Sequence, residues 1–286
     1  MPEPRTLIVL IAYKSNLEWL SVALLSLHIQ TRKNFRCVVV DSTPKGFPEA
    51  EQTPEALDML RRSGAQPHQE KLESGVQNVI RQDPRFVYRH YEWVPHGDVQ
   101  NKVNQAVVEL GADCEYVVIM SDDDFVAPRF LEVQAGSLDR DPKAGFAQGG
   151  VHLFGDTCTF WLHDLPLDKQ LKDQVGQNQF AGTCVMRMAP FREYGGYDLD
   201  AVPEGFPVGL EDFNMFMHFL RNGWRYTSAG EILLFARQNP TQNNRRLYGT
   251  PIYSPLLLKI CRKQGIDCRF RADGSFELSY EQGVRT

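Results

Sequence analysis

The first half of the chain alternates continuous apolar runs with amphipathic segments. Leu7 to Tyr13 (LIVLIAY) is unbroken and β-prone, the pattern of a strand covered on both faces. From Leu17 to Gln30, apolar residues at Leu17, Leu20, Leu24, Leu27 and Ile29 recur at helical spacing, with Asn16 placed to cap the helix. A second buried strand is expected at Arg36–Asp41 (RCVVVD) and a third at Phe86–Glu92. A helix is expected over Asp98–Leu110, then a fourth strand over Glu115–Met120 that ends in Ser121-Asp122-Asp123-Asp124. The polar stretch 44–85 holds two short helical patterns, 54–63 and 69–81. This β-α-β repetition predicts an α/β fold with a parallel sheet, right-handed crossovers and helices on both faces.

The second half is less regular. Gly145–His163 holds two β-prone stretches around Gly155-Asp156, a polar segment fills Asp164–Asn178, and a strand is expected near Ala181–Arg187. A Gly/Pro-rich loop, Gly195–Pro207, leads to a strong helix at Glu211–Arg221 stopped by Asn222-Gly223. A helix at 254–264 and a hairpin follow, with strands 267–271 and 275–280 and an Asp273-Gly274 turn. There is no internal repeat and no low-complexity tract. The expected division is a main domain, 1–244, and a C-terminal extension, 245–286.

Hydrophobic residues at 42% and charged residues at 23% are ordinary for a globular protein. The net charge of −5 argues against a wholly basic, nucleic-acid-coating surface. Charge is uneven, however: residues 245–286 carry eight Lys/Arg against four Asp/Glu. That is either a contact for an anionic acceptor or a solvated face of mixed charge. Six cysteines without a Cys-x-x-Cys pair read as reduced thiols, and so as a cytoplasmic protein. The opening residues lack the pattern of a secretory signal, and no apolar stretch is long enough to span a bilayer.

In an open parallel sheet, ligands bind beyond the carboxyl ends of the strands. Two expected strands end there in acids: Asp41, and the trio Asp122, Asp123, Asp124. Three adjacent carboxylates repel one another, and a hard divalent cation, Mg²⁺ or Mn²⁺, suits them. The competing reading is a solvated turn capping the helix near Pro128. Glu211 and Asp212 at a helix start have two readings as well: favourable interaction with the helix dipole, or a general base at Asp212.

An ordered set of motifs resembles the family 2 glycosyltransferases, inverting enzymes of the GT-A fold, over roughly residues 5–240. LIVLIAYKSN resembles the first strand and base-binding turn (Ala12, Tyr13), VVVDST the second strand with its base-binding acid (Asp41), and NKVNQAV the helix before the aspartate motif (Asn104). IMSDDDFVAP matches that motif and its following proline, EYGGYD the segment beside the acceptor, and GLEDFNMFMHF the Glu-Asp helix start. The resemblance implies a Rossmann-like sheet, a nucleotide-sugar donor (a UDP-sugar foremost) and a divalent cation. It implies donor contacts from Tyr13, Asp41, Asn104, Asp122 and Arg237, and metal contacts from Asp123 with Asp124 close by. Asp212 would be the catalytic base and Glu211 its neighbour.

Two departures stand out. Val103-Asn104 replaces an Arg-Asn pair, and in FARQNPTQNN, Arg237 matches but Asn239 stands where a histidine is usual. His96, His152 and His163 are the candidate substitutes. The implied acceptor is a glycan or lipid-linked sugar; a modified DNA base, flipped out to be reached, is the alternative. Of the other classes, a nucleotidyltransferase would need a Gly-rich phosphate loop that LIAYKSN lacks. A non-catalytic binding module would not need the acids that are present.

Overall fold

The computed structural model describes residues 5–46, 54, 58–59, 62–63, 68–162, 171, 174, 178–204, 206, 209–238, 252–270 and 276–279. Most of the helix expected at 54–63 and of the polar segment 164–178 lies outside them. So do His163, Asn239, the Asp273-Gly274 turn and the tail residues Arg245, Arg246 and Arg271.

Four strands form the expected parallel unit: β1 (Thr6–Ala12), β2 (Phe35–Asp41), β3 (Phe86–His90) and β4 (Tyr116–Ser121), in the order β3-β2-β1-β4. Their apolar runs are continuous because both faces are covered. Ile8, Leu10, Cys37, Val39, Val118 and Met120 point into one core with the helices α1 (Leu17–His28) and α2 (His68–Ile80). The alternate residues Leu7, Val9, Val38, Val40, Val117 and Ile119 point into a second core with α3 (Asp98–Leu110). Each such side chain contributes about 1.5–3 kcal/mol on burial. Asn16 caps α1 as expected, accepting from the Glu18 and Trp19 amides at 2.9 and 3.2 Å.

The remaining strands extend this sheet: β5 (Phe125–Val126), β6 (Ala144–Gly155), β7 (Thr159–Trp161), β8 (Val185–Arg187) and β9 (Arg225–Gln238). β8 is antiparallel to β4 and β6, while β6 and β9 run parallel with register shifts. Between them lie α4 (Phe130–Arg140), α5 (Met188–Tyr194) and α6 (Glu211–Arg221), and after them α7 (Tyr253–Lys263) and the hairpin β10 (Asp267–Phe270) and β11 (Phe276–Ser279).

Register sets the site. Ala12 lies level with Asp41, Ile11 with Ser121, and Asp41 with His90. The residues that follow β1, β2, β3 and β4 therefore emerge along one edge. After the aspartates the chain crosses to β9, pairing Phe125 with Phe235, which brings Arg237 back beside them.

Candidate active site

At the β1 end, Tyr13 is 39% exposed and lies nearly parallel to Trp93, which is 40% exposed, with ring centroids 6.3 Å apart and planes 24° apart. Lys14 follows with φ 49°, a left-handed conformation costly for a non-glycine residue. Its amide donates to Thr43 Oγ1 at 2.7 Å, tying the turn after β1 to the turn after β2. Asp41 is fully buried: it accepts from the Thr43 amide and from the Tyr88 hydroxyl, both at 2.8 Å. Asp41 thus shapes the β2 turn through Oδ1 and ties β2 to β3 through Oδ2.

The aspartates at the end of β4 are not helix caps. α4 begins at Phe130 behind Arg129, with no side-chain cap. Loss of solvent, reinforced by the charge of Asp123, lifts Asp122 to about 6, with Ser15 and Lys102 opposing. Burial and then Asp123 push Asp124 well above the carboxylate range. Asp124 accepts the Arg237 amide at 2.9 Å, and Arg237 Nε donates to the Asp123 carbonyl at 3.3 Å. The Arg237 guanidinium is clamped between the Trp19 and Phe154 rings, 4.3 and 4.6 Å from their centroids.

These carboxylates fit a divalent cation in a particular way. They hold excess negative charge at a strand end, yet among the described residues no three His, Cys, Asp or Glu side chains are grouped as a complete ligand set. An ion held by one or two carboxylates and completed by substrate phosphates suits that arrangement, as is usual for Mg²⁺. His152 is engaged elsewhere, 3.5 Å from the Cys158 thiol and against the Phe235 ring.

The second acid pair opens α6, where Leu210 takes the cap position with no side-chain cap bond. Glu211 Oε2 reaches back to the Gly209 amide at 2.8 Å, and Asp212 Oδ1 accepts the Phe213 amide at 2.7 Å. Asn178 Nδ2 lies 3.5 Å from Asp212 Oδ2, and a Cβ at Gly182 would come within 3.2 Å of that oxygen. A side chain at position 182 would therefore crowd the carboxylate. Burial raises Asp212, and burial plus the charge of Asp212 lifts Glu211 to about 7.

Because Glu211 is raised when folded, its ionisation opposes folding above its usual pKa. The cost grows from about pH 4.5 to 7 and is constant beyond. Glu211→Gln is therefore expected to melt higher than wild type at pH 8, with the gain vanishing near pH 4.5. A pH-independent difference in scanning calorimetry would contradict this account.

Asn104 spends its amide on one backbone unit: Oδ1 accepts from the Tyr197 amide and Nδ2 donates to the Tyr197 carbonyl, both at 2.8 Å. Gly196 has φ 86°, and a Cβ there would lie 2.2 Å from Asn104 Oδ1, so only glycine permits the clamp. Asn104 consequently fixes the EYGGYD segment.

Two features escape a reading of the sequence. Lys102 of α3, 1% exposed, is buried against the end of β1. Tyr253 of α7 lies within electrostatic reach of Asp212, and Leu256, Leu257 and Ile260 of α7 share a core with Leu210, Phe213 and Met217 of α6. The lysines of α7 have acidic partners: Lys263 bridges Asp198 and Asp200 at 2.6 and 2.8 Å, and Lys259 meets the exposed Asp200 at 3.3 Å. Among the described residues no helix is long and apolar enough to cross a membrane.

No family model matches the sequence, and comparison with curated proteins returns no match. Solved structures do match. S. aureus TarS 1–349 in complex with UDP-GlcNAc superposes with a TM-score of 0.58 at 14% identity, covering 91% of this chain and 66% of that one. The mannosyltransferase PcManGT from Pyrobaculum calidifontis, in complex with GDP-Man and Mn²⁺, gives 0.56 at 16% identity, covering 90% and 69%. This chain thus spans just under two thirds of the TarS fragment. The α/β fold expected from the sequence is present, and it is the GT-A fold of these glycosyltransferases.

Proposed function

We propose that the chain is an inverting, metal-assisted glycosyltransferase that uses a nucleoside-diphosphate sugar, foremost a UDP-sugar. The observation that carries this reading is the convergence of two acid groups far apart in sequence. Asp122 interacts with Lys102 on α3, and Glu211 with Gln100, two residues earlier in the first turns of the same helix. A donor-side carboxylate cluster and a buried carboxylate at a helix start thus both border the beginning of α3. The solved neighbours carry UDP-GlcNAc and GDP-Man in the same fold, which supports the donor class.

In this reading Tyr13 and Trp93 receive the base, and Asp41 acts through the β2 turn. Asp122 faces the ribose, while Asp123 with Asp124 would hold the cation. A cation there would neutralise charge gathering on the diphosphate as it leaves. Arg237, immobilised by its two rings, faces the diphosphate end. Asn104 holds the Tyr197 segment against the acceptor side. Asp212 takes the proton of an acceptor hydroxyl, whose oxygen attacks the anomeric carbon as the bond to the diphosphate breaks on the opposite face. The anomeric configuration inverts. Glu211, raised to about 7, stands beside that base as a partly protonated neighbour.

The acceptor is a glycan or lipid-linked sugar. The reading with DNA as acceptor leaned on tail cations, and Lys259 and Lys263 are already paired within the fold. Among the described residues, Cys37, Cys114, Cys158 and Cys184 are thiols outside any disulfide, in keeping with work in a reducing compartment such as the cytoplasm.

Calorimetric titration of UDP and GDP, with and without Mn²⁺, tests the donor assignment. Binding of one nucleotide strengthened by the ion, with quenching of Trp93 fluorescence, is the expected result. A folded protein that binds neither would end this reading.

A further inference from the structure

Lys102 is the only Lys or Arg among the fully buried polar side chains of the described residues, and its surroundings explain why an ammonium is there. Its Nζ donates to the Ala12 carbonyl at 3.1 Å, to Ser42 Oγ at 2.9 Å and to Asp98 Oδ2 at 3.0 Å. These acceptors belong to three separate segments: the last residue of β1, the first residue beyond β2 and the first residue of α3. Asp98 extends the network. Its Oδ2 accepts the Ser42 hydroxyl at 2.7 Å, and its Oδ1 accepts the Val94 amide at 3.2 Å. Val94 adjoins Trp93, and Ala12 adjoins Tyr13. One ammonium and one carboxylate therefore fix the roots of both exposed rings and of the turn that follows Asp41.

A buried ion pair is seldom the most stable filling for such a space; well-packed apolar residues of similar volume are often as good or better. What the pair provides is direction, because three donors aimed at three backbone segments fix their relative positions. We propose that Lys102, with Asp98, is a positioning residue for the nucleoside end of the donor, holding the Tyr13 and Trp93 rings as a preformed slot for a planar base. This inference rests on the donor reading above. It places the contribution of Lys102 in donor affinity, since preorganising a slot lowers the ordering cost of binding. The transfer step itself takes place towards Asp212.

The test uses Asp98→Asn/Lys102→Met, which removes both charges together and strands neither. Ser42→Ala is the second variant; it deletes one acceptor and carries the test if the pair variant fails to fold. Hydrogen exchange at the Lys14, Thr43 and Val94 amides is expected to quicken roughly tenfold while α6 is unchanged. The donor KM should rise about tenfold with kcat within about twofold, the size expected for losing a hydrogen bond to a charged group. Unchanged exchange in the three turns, or an unchanged KM beside a lower melting temperature, would overturn the proposal and leave Lys102 a plain core contact. If the wild type binds neither UDP nor GDP while the turns loosen as expected, the pinning stands and the donor reading falls instead.

Discussion

Replacing Asp212 by Asn is expected to lower kcat about a thousandfold, within the range for loss of a general base, and to leave nucleotide affinity unchanged. Asparagine matches aspartate in shape and keeps an oxygen for the Phe213 amide, so the start of α6 should stay intact. What it loses is the ability to take a proton. Asp212 suits that task because burial raises it and, among the described residues, no cation opposes that shift, which leaves a more basic carboxylate beside Gly182. Initial rates at saturating donor, with calorimetry on the same preparation, separate chemistry from binding. A loss smaller than tenfold would move the base to Glu211, the other carboxylate at this helix start.

Asp123→Ala is expected to weaken nucleotide binding in Mn²⁺ about a hundredfold, equivalent to about 2.7 kcal/mol. In the absence of the ion, the variant should bind as well as wild type. Asp123 is the informative position because both neighbours feel its charge. Removing it relieves the repulsion that a cation would otherwise relieve, so the variant should also melt higher in metal-free buffer. Equal Mn²⁺ dependence in the two proteins would rule out Asp123 as a ligand.

The sequence discloses features whose physics is local. The runs at β1, β2 and β4 are apolar on both faces, and that cannot be hidden by context. The bounds of α3 and α6 coincide with their polar starts and their Gly or Asn-Gly stops. Acids piled at a strand end are equally conspicuous. What stays hidden depends on distant segments meeting. Lys102 looks like an exposed helical lysine until α3 is laid against the ends of β1 and β2. Trp93 reads as a loop aromatic until register brings the β3 end level with β1. Asn104 is expected at the donor, but the return of Gly196-Tyr197 claims its amide. The long pairing of β6 with β9, which delivers Arg237 to the aspartates, is non-local from end to end.

The shared core of α6 and α7 bears on modularity. A tail that chose acceptors as a detachable module could be exchanged between relatives at a linker. Here Leu256, Leu257 and Ile260 interdigitate with Leu210, Phe213 and Met217, directly behind Glu211 and Asp212. A graft that replaces α7 without recutting the opposing face of α6 would disturb the helix that carries the proposed base, so, on the reading above, a change of acceptor preference would arrive together with slower transfer. Diversification at this end of the molecule is therefore constrained to paired changes across the two helices.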